Sequence, residues 1–355
     1  MITSSVPISI EKVKKSRLPE VNVNEVPFGK VFVDYMFIAD FKDGEWKNFR
    51  ILPYQPMQMS YAMSALHYGQ AIFEGMKAFR QDNGNVVVFR PKDNWARLNM
   101  SAERMAMPEV PEEVFMGGLL EFMKLNKDWV PSSENGSLYI RPFMIATEEA
   151  IGVKISSEYQ FVIIASPAGV YYTQPIKVLI QDKFYRSVKG GTGYVKAAGN
   201  YGRSLYPTKL AQEKGYQQIL WTDAETSKYI EESGTMNVMF VKNDVLITPE
   251  LSETLLSGIT RDSIIKLAKK LNIPVEERKV SIQEIVEGIE KGEVTEAFGV
   301  GTAATVAHIT AIGYKDKDYV LPPIEKRKYS PMFDKTLRDI RKGRLADDFG
   351  WLVKV

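Results

Sequence analysis

The stretch that decides the fold is GYVKAAGNYGRSLYPTKLAQEKG, residues 193–215. Within it, Lys196 is followed by three small residues, 197–199, so little side-chain bulk surrounds its amine. Tyr201 comes five residues after the lysine, and the pattern that follows predicts a helix up to Gly215. Most lysines are solvated, and the glycines before this one would equally suit a surface loop. The segment alone therefore leaves both a surface loop and a reactive lysine open.

The composition is that of an ordinary globular protein. The chain has 355 residues, which is enough for two domains with separate cores. It is 45% hydrophobic and 25% charged. A net charge of +2 is too nearly balanced to indicate a nucleic-acid surface, and its basic runs are interleaved with acids, which predicts solvated faces.

Several kinds of chemistry are excluded by the residue types. The chain has no cysteine, which removes disulfides, thiolate nucleophiles and zinc–sulfur sites. His67 and His308 stand far apart without a cluster of ligands, so no metal site is expected. A serine–histidine–carboxylate triad remains only formally, because no GxSxG motif accompanies either histidine. An enzyme of this composition would use a lysine, a tyrosine, a carboxylate or a bound cofactor.

The sequence carries no membrane or export signal. No apolar run approaches the roughly 18–20 residues that span a bilayer. The first 20 residues lack the hydrophobic middle of a secretory signal, and they are too acidic and too poor in arginine for a transit peptide. We therefore expect a cytoplasmic protein that binds neither membranes nor nucleic acids.

Two domains are predicted from a change in rhythm along the chain. Residues 1–165 alternate strand-like runs with turns, including a hairpin around Asn83-Gly84, and contain two helices, which indicates an α+β domain with mainly antiparallel pairing. Residues 166–176 are rich in breakers and aromatics and are interpreted as the interdomain loop. Residues 177–355 mix strands and helices, which is typical of an α/β domain.

Three weak signals for an anion occur together with the lysine. A Ser-Gly turn leads into a helix that begins near Ile259 and Thr260, whose free backbone N–H groups favour an anion. The turn GVGTAAT offers Thr302, and Arg97 is a possible phosphate partner. A phosphorylated cofactor that also needs a lysine is pyridoxal phosphate, because its aldehyde condenses with a lysine amine. The segment EESGTMN, residues 231–237, supplies a carboxylate for its pyridine nitrogen.

From about Phe28 to the C-terminus, the sequence resembles the branched-chain amino acid aminotransferases, which are fold-type IV pyridoxal phosphate enzymes. The matching motifs are FGKVFVDYMF, LHYGQAIFEGMKAFR, LYIRP, VKAAGNYG, ESGTMN, SGITR and GTAAT. The resemblance implies a D-amino acid aminotransferase-like architecture. Its smaller N-terminal domain is α+β, and its larger C-terminal domain, which binds the cofactor, is an α/β pseudo-barrel. It also implies a homodimer, with higher assemblies left open.

The resemblance assigns residues to the cofactor. Lys196 takes the position of the lysine that binds the cofactor covalently and moves the substrate proton. Tyr201 is expected on the phenolate oxygen and Glu232 on the pyridine nitrogen, since Glu232 has the family's spacing to Asn237 and Glu231 does not. The residues expected to hold the rest of the cofactor, mainly its phosphate, are Arg97, Thr235, Ile259, Thr260 and Thr302.

The resemblance also assigns a substrate pocket. A largely apolar pocket is implied for Phe28, Phe73, Tyr139, Tyr171, Thr235, Thr302 and Ala303. Tyr68, Ile151 and Val153 match positions that reach the neighbouring subunit's site in relatives. Arg141 is implied to help receive the γ-carboxylate of glutamate. Without the resemblance, each aromatic side chain would be interpreted as a core residue.

The predicted activity is reversible transfer of the amino group of L-leucine, L-isoleucine or L-valine to 2-oxoglutarate. Animal members carry a C-x-x-C pair after the GTA turn, where this chain has Ala304 and Ala307, so control by thiols is excluded. D-amino acid aminotransferase and aminodeoxychorismate lyase share the fold and are alternatives, which YIRP and GTMN disfavour. A scaffold protein that has lost activity is a third alternative, which the complete set of cofactor residues disfavours.

Overall fold

A computed structural model describes residues 6–169 and 174–355. The strands are β1 Ser9–Ile10, β2 Tyr35–Lys42, β3 Glu45–Pro53, β4 Ala71–Phe73, β5 Met76–Arg80, β6 Val86–Phe89, β7 Ser137–Ala146, β8 Tyr159–Ala168, β9 Ile176–Gln181, β10 Gln218–Thr222, β11 Tyr229–Ser233, β12 Met236–Lys242, β13 Val245–Thr248, β14 Val275–Glu277, β15 Val280–Ser281, β16 Val294–Gly301, β17 Thr305–Tyr314, β18 Lys317–Val320 and β19 Leu352–Lys354. The α-helices are α1 Ser64–Tyr68, α2 Pro91–Arg104, α3 Glu112–Asn126, α4 Ala198–Gly202, α5 Leu205–Glu213, α6 Ile259–Lys270, α7 Ile282–Glu290 and α8 Tyr329–Arg341. Short 3-10 helices span Leu18–Glu20, Lys127–Trp129 and Ile324–Lys326.

The chain forms two compact units. The first comprises Met1–Tyr171, Val195–Gly199 and Asp339–Val355, and the second comprises Tyr172–Tyr194 and Asn200–Arg338. The sequence prediction assigned residues 339–355 to the second domain, whereas the structure groups them with the first unit because β19 pairs antiparallel with β6. The predicted interdomain loop at 166–176 includes residues outside the described ranges, and its bounds stay a prediction.

The first unit is built on one sheet with the strand order β1-β3-β2-β8-β7-β5-β6-β19, and β4 pairs with β7. Its pairs are antiparallel except β1–β3, which confirms the predicted α+β character. Side chains alternate along β7, so that Leu138, Ile140 and Met144 are buried while Tyr139 and Arg141 are half-buried on the other face. This alternation separates a core face from a face that is free to carry a site.

Helices α2 and α3 cover the core face of this sheet. The rings of Phe115 in α3 and Phe161 in β8 stack with their centroids 5.6 Å apart. At Gly118 of the same helix, an added Cβ would lie 2.6 Å from the ring of Phe37 in β2. The helix can approach the sheet this closely because that position has no side chain, and the two layers then enclose a single apolar core.

The second unit is a closed barrel with added strands. The pairs β9–β10, β10–β11, β11–β12, β12–β16, β16–β17 and β17–β9 return to their starting strand, so six strands form a ring. The ring mixes parallel and antiparallel pairs, and β13, β14, β15 and β18 extend it. The predicted pseudo-barrel is confirmed. Closure of the ring pairs each of its six strands with a neighbour on both sides, so that edges remain only at the added strands.

Residues 6–169 and 174–355 contain neither a membrane-spanning helix nor a cluster of metal ligands. No helix there is both long enough and apolar enough to cross a membrane. No group of three or more acidic or histidine side chains in these ranges is placed to hold a metal ion.

Candidate active site

The half-buried face of the first sheet carries aromatic rings around one guanidinium. Phe73 ends β4 and Tyr139 lies in the adjacent β7, with Phe28 packed edge-on against Tyr139 at a centroid distance of 5.0 Å. The Arg141 guanidinium lies over the Phe73 ring at 4.5 Å and donates a hydrogen bond to the Tyr139 hydroxyl at 3.0 Å. This surface is mostly apolar, and the Arg141 guanidinium contributes a positive charge to it.

The position of Tyr139 depends on a glycine. A Cβ at Gly75 would lie 2.1 Å from the Tyr139 hydroxyl oxygen. Gly75 therefore leaves the space that the phenol occupies, and any side chain there would displace the group that accepts from Arg141.

Lys196 is fixed through its backbone to the same face. Its carbonyl accepts a hydrogen bond from the Phe73 amide at 3.1 Å, and Ala197 forms an isolated bridge with Ile72. Its amide donates to Ser101 Oγ in α2 at 3.0 Å. The ammonium nitrogen lies 4.6 Å from the centroid of the Phe73 ring. The predicted reactive lysine is thus positioned beside the apolar face by three backbone contacts.

Different physical reasons account for the small residues on the two sides of Lys196. A Cβ at Gly193 would lie 1.8 Å from Ser187 Oγ and 2.7 Å from the carbonyl oxygen of Thr254, so local packing accounts for that glycine. A Cβ at Gly199 would meet nothing within 4 Å, so the open space expected from the sequence exists on that side.

Arg97 is held by a buried carboxylate that sequence reasoning missed. Its Nε donates to Glu74 Oε1 at 2.7 Å and its terminal nitrogen donates to Oε2 at 2.8 Å. Glu74 is fully buried and Arg97 is 7% exposed. Ser101 also donates to the Arg97 carbonyl at 2.9 Å, which links the arginine to the residue that holds Lys196. The available signal was a glutamate within the largely apolar segment AIFEGMKAF, residues 71–79, since a buried carboxylate needs a partner.

We expect Arg97→Ala to weaken retention of a phosphorylated cofactor more than it slows catalysis. A charge-assisted hydrogen bond contributes roughly 1.5–3 kcal/mol, which corresponds to a loss of affinity of about tenfold to more than a hundredfold. Fluorescence titration of the apoprotein with cofactor measures the change, and Arg104→Ala, an exposed arginine on the same helix, is the control. Equal cofactor affinity in wild type and Arg97→Ala would show that the arginine is only structural.

Glu232 lies at the base of a hairpin in the second unit. It pairs with Asn237 across β11 and β12, and Ser233 pairs with Met236, so Gly234 and Thr235 form the turn. Gly234 has a φ of +57°, which glycine adopts readily. The spacing of five residues that selected Glu232 from the sequence is therefore the length of a tight hairpin. Glu231 lies one residue earlier on the strand and faces the opposite side.

The Glu232 carboxylate is buried and fixed by three groups. Its Oε1 accepts from Asn237 Nδ2 at 3.3 Å and from the Leu256 amide at 2.8 Å. Its Oε2 forms an ion pair with Arg186 Nε at 3.0 Å. Arg186, 8% exposed, also donates to the Gly193 carbonyl at 3.0 Å. Sequence reasoning did not identify Arg186, because a buried arginine has no signature in a single sequence.

The predicted anion-binding helix begins directly after the loop that holds Glu232. Gly258 is the N-cap of α6, and Ile259 and Thr260 form its first turn. A Cβ at Gly258 would lie 1.9 Å from Asn237 Oδ1, so the glycine lets the helix start against the side chain that also binds Glu232. These amide groups lie at the positive end of the helix dipole, as the sequence predicted.

Thr302 and Ala303 lie in the turn between β16 and β17, next to the same hairpin. Asn237 pairs with Val300, two residues before Thr302. A Cβ at Gly299 would lie 2.7 Å from the Met236 methyl group, which explains the glycines of GVG. Thr235 is exposed at the hairpin turn, and Tyr201 is half-buried in α4. The structure thus groups Glu232, Thr235 and the α6 start, with the 302–303 turn near them in the barrel.

The remaining predicted residues lie elsewhere. Tyr68, Ile151 and Val153 are 42%, 76% and 90% exposed on the first unit. Tyr171 lies outside the described residues.

The chain is similar to known proteins in both sequence and structure. Residues 71–312 match the family model described as amino-transferase class IV. The chain is 45% identical over 339 residues to a probable branched-chain-amino-acid aminotransferase of Staphylococcus aureus (strain N315), covering 94% of each chain. The branched-chain aminotransferase of Thermoproteus uzoniensis, solved with norvaline, is 26% identical with a TM-score of 0.73, covering 90% of this chain and 99% of its own. The T.th. branched-chain amino acid aminotransferase, solved with N-(5'-phosphopyridoxyl)-L-glutamate, is 25% identical with a TM-score of 0.71, covering 89% and 97%.

The chain belongs to the class IV aminotransferase family. It is a pyridoxal phosphate-dependent transaminase. The residue types present suit such a cofactor chemically: Lys196 carries a primary amine, Glu232 carries a buried carboxylate, and α6 begins at Ile259 and Thr260.

Proposed function

We propose that this transaminase transfers the amino group of L-leucine, L-isoleucine or L-valine reversibly to 2-oxoglutarate, giving the branched 2-oxo acid and L-glutamate. The observation that carries the proposal is the face formed by Phe28, Phe73 and Tyr139 around Arg141. An apolar side chain can pack on the rings, and a side-chain carboxylate can pair with the guanidinium. One surface thus suits both halves of the reaction.

Arg141 is suited to an incoming carboxylate. It is half-buried, and its Nε has no hydrogen-bond partner among the described residues. A carboxylate that bound there would satisfy this donor, and a charge-assisted pair of this kind is stronger than a neutral one. The T.th. enzyme was solved with a phosphopyridoxyl-glutamate, which supports glutamate as the acidic substrate.

We assign the chemical roles as follows. Lys196 would hold the cofactor covalently between turnovers and would then move the proton from the substrate Cα. Tyr201 would hydrogen-bond the phenolate oxygen, and Glu232 would keep the pyridine nitrogen protonated. The cofactor would supply an acceptor for the electrons of the Cα–H bond. The groups proposed for the phosphate and the rest of the cofactor are Arg97, Thr235, Ile259, Thr260 and Thr302. Ala303 is proposed to border the substrate, together with Thr235 and Thr302.

We expect an amine-donor panel with 2-oxoglutarate to give the highest kcat/KM for L-leucine, L-isoleucine and L-valine. L-alanine offers too little apolar surface for the rings, and each buried methylene contributes about 0.8 kcal/mol. The assay measures glutamate formation, with D-alanine and D-leucine as matched controls of the opposite hand. Turnover restricted to D-amino acids, or lyase activity without transfer, would contradict the proposed reaction and favour the alternatives with the same fold.

A homodimer is part of the proposal. The segment around Ile151 lies beside α1, because Met63 bridges Glu149 and the Ala150 amide donates to the Ala62 carbonyl at 3.2 Å. The apolar side chains exposed by these two segments are Tyr61, Leu66, Tyr68, Ile151, Val153 and Ile155, at 42–90% exposure. A patch of this kind on one protomer indicates a protein interface.

We expect Ile151→Asp combined with Val153→Asp to convert a wild-type dimer into monomers with reduced activity, because two charges would be buried without partners. Sedimentation velocity measures the mass, and Val320→Asp, at an exposed valine outside the patch, is the control. A fully active wild-type monomer would contradict the proposal.

The predicted cytoplasmic location belongs to the same proposal and is tested by cell fractionation.

A further inference from the structure

A cavity with a volume of about 680 Å³ lies wholly in the second unit. Cavities of roughly 300–1,000 Å³ are the usual size for small-molecule sites. Part of its wall is β11, the strand that carries Glu232. Glu231 lines the cavity, and because successive side chains of a strand face opposite sides, Glu232 points away from it. None of the residues assigned above to cofactor or substrate lines this cavity.

Acidic side chains outnumber basic side chains in the wall of the cavity. Its carboxylates are Asp223, Glu225, Glu231, Glu250 and Glu253, and its cationic side chains are Lys189 and Lys279. The balance of five negative and two positive groups gives a formal charge of −3. Apolar surface comes from Val188, Pro249 and Leu255. The cavity therefore offers a negative field together with contacts for a short hydrocarbon stem.

Glu231 is a buried carboxyl group that is only partly hydrogen-bonded. It is 7% exposed, and its Oε1 accepts from Thr254 Oγ1 at 2.5 Å. Its Oε2 is buried without a hydrogen-bond partner among the described residues. Burial raises the pKa of this carboxyl, and the nearby charge of Asp223 raises it further, while the Thr254 hydroxyl and Arg186 lower it. Leaving a buried acceptor unsatisfied is unfavourable, and a ligand cation close to it would relieve this cost.

The cavity wall is held in place by hydrogen bonds. Asp223 accepts from the backbone amides of Thr226, Lys228 and Tyr229 at 2.7–2.9 Å, which fixes the turn at one side. Glu253 Oε2 accepts from the Gly190 amide at 3.0 Å, which ties together two further wall segments. A cavity that is already formed requires little ordering when a ligand binds.

We propose that this cavity is a binding site for a small guanidinium compound with a short apolar stem. Guanidinium suits it better than ammonium because its flat, weakly hydrated head offers several donors to neighbouring carboxylates. The site is separate from amino-group transfer, so the proposal does not depend on the identity of the substrate.

The test is calorimetric titration of the holoenzyme with n-butylguanidinium chloride, which, unlike a primary amine, is not consumed by an aldehyde. We expect saturable binding below about 10 mM, and no binding of the neutral 1-pentanol in the same range. Glu231→Gln should weaken binding at least tenfold. Lys279→Ala should tighten it, because a repelling charge is removed, and this change of opposite sign is informative even if Glu231→Gln folds poorly.

The control is Glu103→Gln, an exposed glutamate on α2 outside the cavity, which should leave the affinity unchanged. Equal binding of 1-pentanol, unchanged affinity in both cavity variants, or no binding up to about 10 mM would each overturn the proposal. Binding of pentanoate in place of butylguanidinium would also overturn it, since the two lysines would then determine the ligand.

Discussion

Lys196→Ala is expected to abolish turnover and to eliminate the covalent link to pyridoxal phosphate. The lysine amine is the group that we assign both to the cofactor aldehyde and to the movement of the Cα proton, so both functions disappear together. Loss of the visible absorption band of the holoenzyme measures the first, and a stopped assay of glutamate formation measures the second. The fold should persist, because the contacts that fix this residue are made by its backbone amide and carbonyl.

The control for this variant is Lys209→Ala. Lys209 is an exposed lysine of α5, 13 residues further along the chain, with a 3.8 Å contact to Glu213. We expect this variant to keep both the absorption band and the turnover. Normal transamination by Lys196→Ala would refute the assigned role, whatever the behaviour of the control.

Glu232→Gln is expected to slow removal of the Cα proton while cofactor and amino acid still bind. A negative charge within about 4–6 Å favours a protonated pyridine nitrogen, and glutamine supplies no charge. Glutamine keeps the size of the side chain and an acceptor for the Leu256 amide, so the local fold should survive. The loss in kcat should exceed tenfold, which is more than about 1.36 kcal/mol in the barrier. A Cα-deuterium isotope effect should grow in the variant as proton removal becomes limiting.

Glu231→Gln is the matched comparison, because it makes the same change one residue earlier on the same strand. It should retain the larger part of the turnover, since its side chain lies on the opposite face from Glu232. If Glu231→Gln lost activity and Glu232→Gln kept it, the strand register that we use for the hairpin would be wrong.

Local patterns allowed much of the architecture to be predicted. The hairpin at Asn83-Gly84 is confirmed, with Gly84 at a φ of +86° between two antiparallel strands. The helix that begins at Ile259 is also confirmed. These features depend on residues close together in the chain, and short-range periodicity reports them.

Long-range partners could not be predicted in the same way. Glu74 pairs with Arg97, which lies 23 residues later, and Arg186 pairs with Glu232, which lies 46 residues later. A single sequence contains no signal that shows which acidic residue pairs with which basic residue. The return of Leu352–Lys354 to the first sheet depends on pairing with a strand more than 260 residues earlier. The sequence pattern also gave no sign that Gly193 is required by contact with Ser187 rather than by room for a ring.

The most direct test of the central claim, that the active site is built around Lys196, is borohydride reduction of the holoenzyme followed by peptide mapping. Reduction makes the bond between cofactor and lysine permanent, so mass spectrometry can locate it. We predict a single pyridoxyl group on the peptide that contains Lys196. A pyridoxyl group on Lys189 or Lys209, with Lys196 unmodified, would contradict the account.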